Sequence, residues 1–249
     1  MLQSLEFLIF TDPKTLNSTS NLRKLVIAID GPAASGKSTT AKLTAERLGY
    51  MHIDTGAMYR AMTLKVLEQK IDVNDAERIG NLAEETEVRL RRKRNELQVL
   101  LDNQDVTKRI RSQAVSSAVS AVSSVMKIRE ALVREQRSMG NNGGIVLEGR
   151  DIGTVVFPNA DIKIFMIANV EERARRRQRE LRQTGIEVDI EKLEKEIVER
   201  DRKDSERSLS PLRKADDAIV LDTSDMTIEQ QVEFIIHKAK EILRRNEKV

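Results

Sequence analysis

The sequence predicts an α/β fold, a parallel sheet flanked by helices on both faces. Three observations predict it. Short apolar runs alternate with helix-length amphipathic segments through most of the 249 residues, the pattern of strand–helix–strand crossovers. The first run, at 25–29, leads straight into Gly31, Pro32, Ala33, Ala34, Ser35, Gly36, Lys37 and Ser38, which match a phosphate-binding loop at every fixed position. The run at 162–168 lacks polar alternation and so reads as a strand covered on both sides.

Composition narrows the class. Hydrophobic residues make up 39% and charged residues 33%, which implies a packed core under a charged surface, not a disordered chain. The 43 Lys+Arg against 40 Asp+Glu give a net charge of only +3, so the basic excess of a nucleic-acid binder is missing. Without cysteine, a disulfide framework or a thiolate zinc site is excluded. No apolar run approaches a membrane span, and the opening residues carry Glu6 with no basic leader, unlike a signal peptide. The expectation is a cytoplasmic protein without membrane or nucleic-acid partners.

Residues 1–22 form a tail ending in polar, turn-rich sequence. It reads as a docked strand near Phe7 and Phe10, a frayed arm, or a segment upstream of the true start. A first core section spans 23–85: a strand to about 30, the loop, a helix at 37–48 stopped by Gly49, a short strand at 50–54, and a helix to about Gln69 capped by Asp54 or Thr55. No element is assigned between 70 and 85. At 86–112 the period changes to short alternating strands around turns at Arg94-Asn95 and Asp102-Asn103, an insertion in the αβ alternation. The second core section, 113–249, contains one or two helices at 113–138, a turn at Asn141 to Gly144, and a strand at 145–147 running into Glu148, Gly149, Arg150 and Asp151. The strand at 162–168, an arginine-dense helix at 170–182, a charged helix at 189–206, a last strand at 218–221 and a closing helix at 227–245 follow.

The loop carries the chemistry. Its glycines let backbone N–H groups close on phosphate oxygens at a helix N-terminus. Lys37 reaches the outer phosphates and Ser38 offers a hydroxyl to Mg²⁺. Arginines from separate segments, Arg60, Arg129, Arg150, Arg200 and Arg207, would hold a second phosphorylated substrate. Arg200, Asp204 and Arg207, spaced four and three apart, align on one helix face; a surface salt-bridge ladder is the bland alternative. The basic run Arg89, Arg91, Arg92, Lys93 and Arg94 reads as a solvated face or hairpin in preference to an RNA patch. His52 reads as a packed strand residue and His237 as structural.

Five ordered segments, 29–39, 54–60, 148–158, 171–177 and 199–207, carry a resemblance over residues 24–245. The most specific is Gly149-Arg150-Asp151-Ile152-Gly153-Thr154-Val155-Val156-Phe157-Pro158. The chain resembles the bacterial cytidylate kinase family, nucleoside monophosphate kinases of the phosphate-loop NTPase superfamily. That resemblance implies a nucleotide-binding insertion at 86–112, a helical lid at about 173–190, and phosphorylation of CMP and dCMP by ATP with Mg²⁺. It implies ATP contacts from the loop through Thr39 and from Arg173, which would stack on adenine. Lys37, Arg150 and Arg176 would serve the transfer. Thr55, Arg60, Ser120, Arg129, Arg150, Asp151, Arg200, Asp204 and Arg207 would bind CMP, with Ser116, Ser117, Ser123 and Ser124 crowding the same stretch as Ser120. A monomer is expected. A kinase that prefers UMP or shares UMP and CMP stays open, as does an RNA-binding module built on the run at 89–94.

Overall fold

The computed structural model describes residues 24–93, 96–183 and 185–246. The tail at 1–22 and the turn expected at Arg94-Asn95 lie outside the described residues.

The chain runs β1 (Val26–Asp30), α1 (Lys37–Leu48), β2 (Met51–Asp54), α2 (Thr55–Glu68), α3 (Ala76–Glu85), β3 (Val88–Lys93), β4 (Glu96–Leu101) and β5 (Gln104–Asp105). It continues through α4 (Gln113–Val122), α5 (Met126–Met139), β6 (Ile145–Gly149), β7 (Ile162–Ile167), α6 (Val170–Gln183), α7 (Ile190–Glu206), β8 (Ile219–Asp222) and α8 (Ile228–Asn246). Five strands form a wholly parallel sheet in the order β2-β6-β1-β7-β8. Central β1 and β6 are apolar along nearly their whole length because helices cover both their faces. On one side Leu25, Ile27, Ile29, Ile164 and Met166 pack with Ala41 and Ala45 of α1 and Ile235 and Ala239 of α8.

The insertion is a three-stranded antiparallel sheet, β3-β4-β5. It shares a core with the rest of the chain: Val88, Val99 and Leu101 pack in one cluster with Met58 and Met62 of α2, Ile79 of α3 and Ile128 of α5. Exposed Arg89 pairs with Glu87, and Arg91 donates to Gln98 (3.0 Å), the solvated-face arrangement. Helix α3 is the element that had no sequence assignment. Its N-cap Asp75 accepts from the Arg78 N–H (3.0 Å), and Ile79 and Ala83 form its narrow buried face.

Helices α6 and α7 make a hairpin with its own small core of Ala174, Leu193 and Ile197. After β6 the chain enters a π-helical turn, Ile152–Val156. Among the described residues no helix is long and apolar enough to cross a membrane.

Candidate active site

The parallel strands deliver their functional residues to one edge, the C-terminal ends, where open α/β sheets bind ligands. The loop after β1 is tightly constrained. A Cβ at Gly31 would run into the Met166 carbonyl of β7, Gly36 has φ 95°, and Ala34 is a non-glycine residue at φ 59°. Helix α1 starts with no side-chain cap, so its first N–H groups are left for an anion. Buried Lys37 donates to the Pro32 carbonyl (2.7 Å) and more distantly to Ser35 Oγ (3.4 Å). Burial, helped by the Arg150 and Arg200 charges, pushes its ammonium down to about 7 against the pull of Glu148 and Asp30.

Glu148, at the end of β6, belongs to this site although the sequence had not singled it out. Its Oε2 accepts from Ser38 Oγ (2.6 Å) and its Oε1 lies 3.0 Å from His52 Nε2. Burial would push this carboxyl up, but His52, Lys37 and Ser38 reverse the shift and hold it below the usual range. Neighbouring Asp54, N-cap of α2, is raised by burial and by Glu148. The available signal was an acid ending an apolar strand beside the loop strand. His52 is half-buried on β2, as expected, with a bond to Glu148 as its specific contact. His237 is a correction: its side chain is exposed on α8 and lies 3.0 Å from Glu241 one turn on, a surface pair with no core role. A hydroxyl beside a carboxylate is a hard-oxygen donor pair suited to Mg²⁺. The described residues contain no cluster of three His, Cys, Asp or Glu able to hold a metal alone.

A second group faces the loop. Arg150 donates through Nε to Asp204 Oδ2 (2.8 Å). Arg200 is pushed down to about 10 by burial and by Arg150, with Arg60 and Arg177 adding repulsion and Asp204 opposing it. Burial lowers Arg60 too, with Arg177, Arg111 and Arg150 adding to the shift against Asp54. Arg60 also donates to Ser116 Oγ (2.9 Å). Buried guanidinium groups with further cations around them suit a bound anion.

Beside it lies a buried ion pair. Buried Arg129 pairs with buried Asp151, donates to Ser210 Oγ (3.2 Å) and the Ser123 carbonyl (3.3 Å), and stacks over Tyr59 at 5.4 Å. Arg207 reaches to 3.9 Å from Asp151.

Several expected positions are corrected. Arg207 is not on the helix face with Arg200 and Asp204: α7 ends at Glu206, and Arg207 is an extended C-cap whose Nε donates to the Ser210 carbonyl (2.6 Å). It still turns toward Asp151. Arg173 does not present its face to a base; it is buried, ion-paired with Asp201 (2.5 Å), and donates to the Ala168 and Ala33 carbonyls. Arg176 is fastened to the Ser35 carbonyl (3.1 Å) and the Thr223 carbonyl (2.6 Å), so Arg177 is the α6 arginine whose charge Arg60 and Arg200 feel. Thr55 is buried with its hydroxyl donated to the Glu148 carbonyl (2.7 Å). Ser120 and Ser116 sit one turn apart on α4, both half-buried, and the bond to Arg60 belongs to Ser116. Thr39 is exposed on α1.

The family model described as cytidylate kinase matches residues 27–241. The chain belongs to the cytidylate kinase family. A cytidylate kinase of Streptococcus suis is 52% identical over 225 residues, 90% of this chain and all of that one. One from Bacillus subtilis is 45% identical over 219 residues, 88% of this chain and 98% of the relative. A shikimate kinase structure from Bacteroides thetaiotaomicron gives a TM-score of 0.44 at 13% identity, covering 88% of this chain and 98% of that one. The cytidylate kinase match contains the whole cationic site and the Arg129–Asp151 pair, since both fall between 27 and 241.

Proposed function

We propose that this chain transfers the γ-phosphoryl group of ATP to CMP, and also to dCMP, giving ADP and the cytidine diphosphate. One arrangement carries the reading: a buried arginine–carboxylate pair adjoins a cluster of arginines, opposite a phosphate loop. A carboxylate accepts from the cytosine N4 amino group, and an arginine with a serine donates to N3 and O2. Uracil would set a carbonyl against Asp151. The relatives named cytidylate kinase at about half identity support the same acceptor.

In this reading the loop from Gly31 to Thr39 wraps the ATP phosphates. Arg129, Asp151 and a serine of α4, Ser120 or Ser116, read the base. Asp204 with Arg200 and Arg207 holds the ribose and phosphate, and Arg60 and Arg150 draw the acceptor phosphate inward. A CMP phosphate oxygen attacks the γ-phosphorus in line while the bond to the β–γ bridging oxygen breaks, and the departing pair stays on ADP. Lys37, Arg150 and Arg177 neutralise charge on the transferred group. The Ser38 hydroxyl and Glu148 carboxylate would hold Mg²⁺, which would supply charge to offset that of the phosphates. A lid at about 173–190 would exclude water from the transfer. One chain supplies every group and the substrates are intracellular nucleotides, so the proposed enzyme is a cytoplasmic monomer.

A coupled ADP-release assay with Mg-ATP and CMP, dCMP, UMP or AMP tests this. Turnover of the two cytidine nucleotides far above the others is expected; activity on none of them rejects the reading. Asp151→Asn is expected to reduce the CMP-over-UMP preference in kcat/KM by about tenfold or more. An unchanged preference removes Asp151 from base reading.

A further inference from the structure

We propose that Asp30 is a positioning residue that fixes the turn carrying Arg150 and Asp151 against the phosphate loop, and thereby sets how the acceptor base is read. The inference rests on the function proposed above and deepens it. Asp30 ends β1 and immediately precedes Gly31. Its two carboxylate oxygens accept separate backbone bonds: Oδ1 from the Ile152 N–H (2.8 Å) and Oδ2 from the Gly153 N–H (2.7 Å). Those two amides open the π-helical turn, one and two residues after Asp151. The Asp151 carbonyl accepts from the Val155 and Val156 N–H groups (2.9 and 3.2 Å), so the turn is one bonded unit. A carboxylate engaged at both oxygens fixes the orientation of that unit as well as its distance; a single bond would leave a hinge.

Asp30 is 5% exposed, and among the described residues no ion pair within 4 Å neutralises it. A buried unpaired carboxylate is a costly way to hold a turn if holding is all that is required. The charged groups around it belong to the reaction: Lys37 from α1 and Asp151 from the turn itself. From β7, Lys163 lies beyond Gly153 with its ammonium committed to the Pro158 carbonyl and Asp217; from β6, Glu148 is bonded to Ser38 and His52. Burial pushes the Asp30 carboxyl up to about 6, the two backbone bonds opposing and Asp151 adding to the shift.

Asp30→Asn keeps one acceptor oxygen and turns an amide N–H₂ toward the second backbone donor. The expected result is a rise of about tenfold or more in KM for CMP and a fall of about fivefold or more in CMP-over-UMP preference, with KM for ATP within about twofold. Unchanged CMP parameters overturn the proposal. Parallel loss of ATP and CMP affinity with a lowered Tm does so as well, since that is a general structural defect. Hydrogen exchange on the wild-type chain keeps the question open to test if the variant does not fold. Corrected for intrinsic rate, residues 149–156 are expected to gain protection between about pH 7.5 and about pH 5 while residues 145–148 stay unchanged, because the closed turn holds the Asp30 proton more tightly than the opened one. Equal protection across that range overturns the proposal. If wild-type protein fails to phosphorylate CMP, the function reading falls alone, because the exchange result does not depend on it.

Discussion

Asp204 gives three arginines a shared counter-charge. Burial would raise its carboxyl, but Arg150, Arg200 and Arg207 hold it below the usual range, so it stays ionised among cations. Removing it frees Arg150 from its 2.8 Å bond and lets the arginines separate. Hydrogen bonds to charged groups are worth about 1.5–3 kcal/mol, so Asp204→Ala is expected to raise KM for CMP by about tenfold or more, with KM for ATP little changed. Steady-state kinetics with each substrate varied would check this, and an unaltered KM for CMP removes Asp204 from the acceptor site. Asp30 gives the pH dependence. Its folded pKa of about 6 lies above the ordinary aspartate value of 3.8, so the folded chain binds the proton more tightly. That contribution to stability is fully present below 3.8 and is lost as pH rises through about 6. Tm measured from about pH 4 to about pH 7 for wild type and Asp30→Asn is expected to show wild type losing ground to the variant as pH rises; parallel curves contradict the shift. Arg60, Arg150 and Asp151 were legible in sequence because each sits in a motif of fixed spacing. Glu148 and Asp30 were not singled out, since an acid at the end of an apolar strand looks like ordinary strand termination. Only the parallel pairing of β1 with β6, Asp30 opposite Gly149, brings the two acids to one edge.

Helix α6 illustrates how one element divides its charges between fastening and catalysis. Glu172 bonds to Arg176 (3.0 Å) and Arg179 (3.1 Å), and Arg176 spans to the loop and to β8. Arg177, on another face, acts on the cluster through its charge and, among the described residues, pairs with Glu180 (3.0 Å), a half-exposed pair of small energetic weight. Arg176→Ala is expected to lower Tm and weaken ATP binding together. Arg177→Ala is expected to leave Tm within about 2 °C, the usual scale for a surface substitution, while cutting kcat by about tenfold or more. Thermal melts beside steady-state kinetics separate the two, and a normal kcat for Arg177→Ala would exclude it from the transfer step. Sequence spacing could not make this division, because six arginines within 173–182 offer cations on every side of the helix. The same limit explains α3. Its buried face is three residues wide in a segment otherwise charged, and the Asp75 cap was the one clear start signal. The strands were easier: β1, β6 and β7 are near-continuous apolar runs, and such runs have few other places to go.

At the scale of the molecule, the order of strands and helices was readable from periodicity, and the location of the site followed from a parallel sheet having a single C-terminal edge. What periodicity does not encode is the electrostatic state of that edge. Lys37, Arg60 and Arg200 are each depressed by burial and by other cations, so the fold carries repulsion that Glu148, Asp54 and Asp204 offset in part and that bound anions relieve further. This cost lives in the folded state alone, because the unfolded chain disperses the same charges. Anions that fit the site should therefore stabilise the fold beyond simple screening. ATP or CMP at about a hundred times its dissociation constant contributes about 2.7 kcal/mol, which for a chain of this size corresponds to roughly 5–10 °C in Tm. Sulfate, which can occupy phosphate positions, is expected to raise Tm more than chloride at matched ionic strength, and neutralising Arg200 by Arg200→Gln is expected to shrink the difference. Differential scanning fluorimetry across the two salts reads it directly. Identical melting curves in sulfate and chloride would mean that the arginines are already balanced within the fold, and the picture of an anion-starved site would fail.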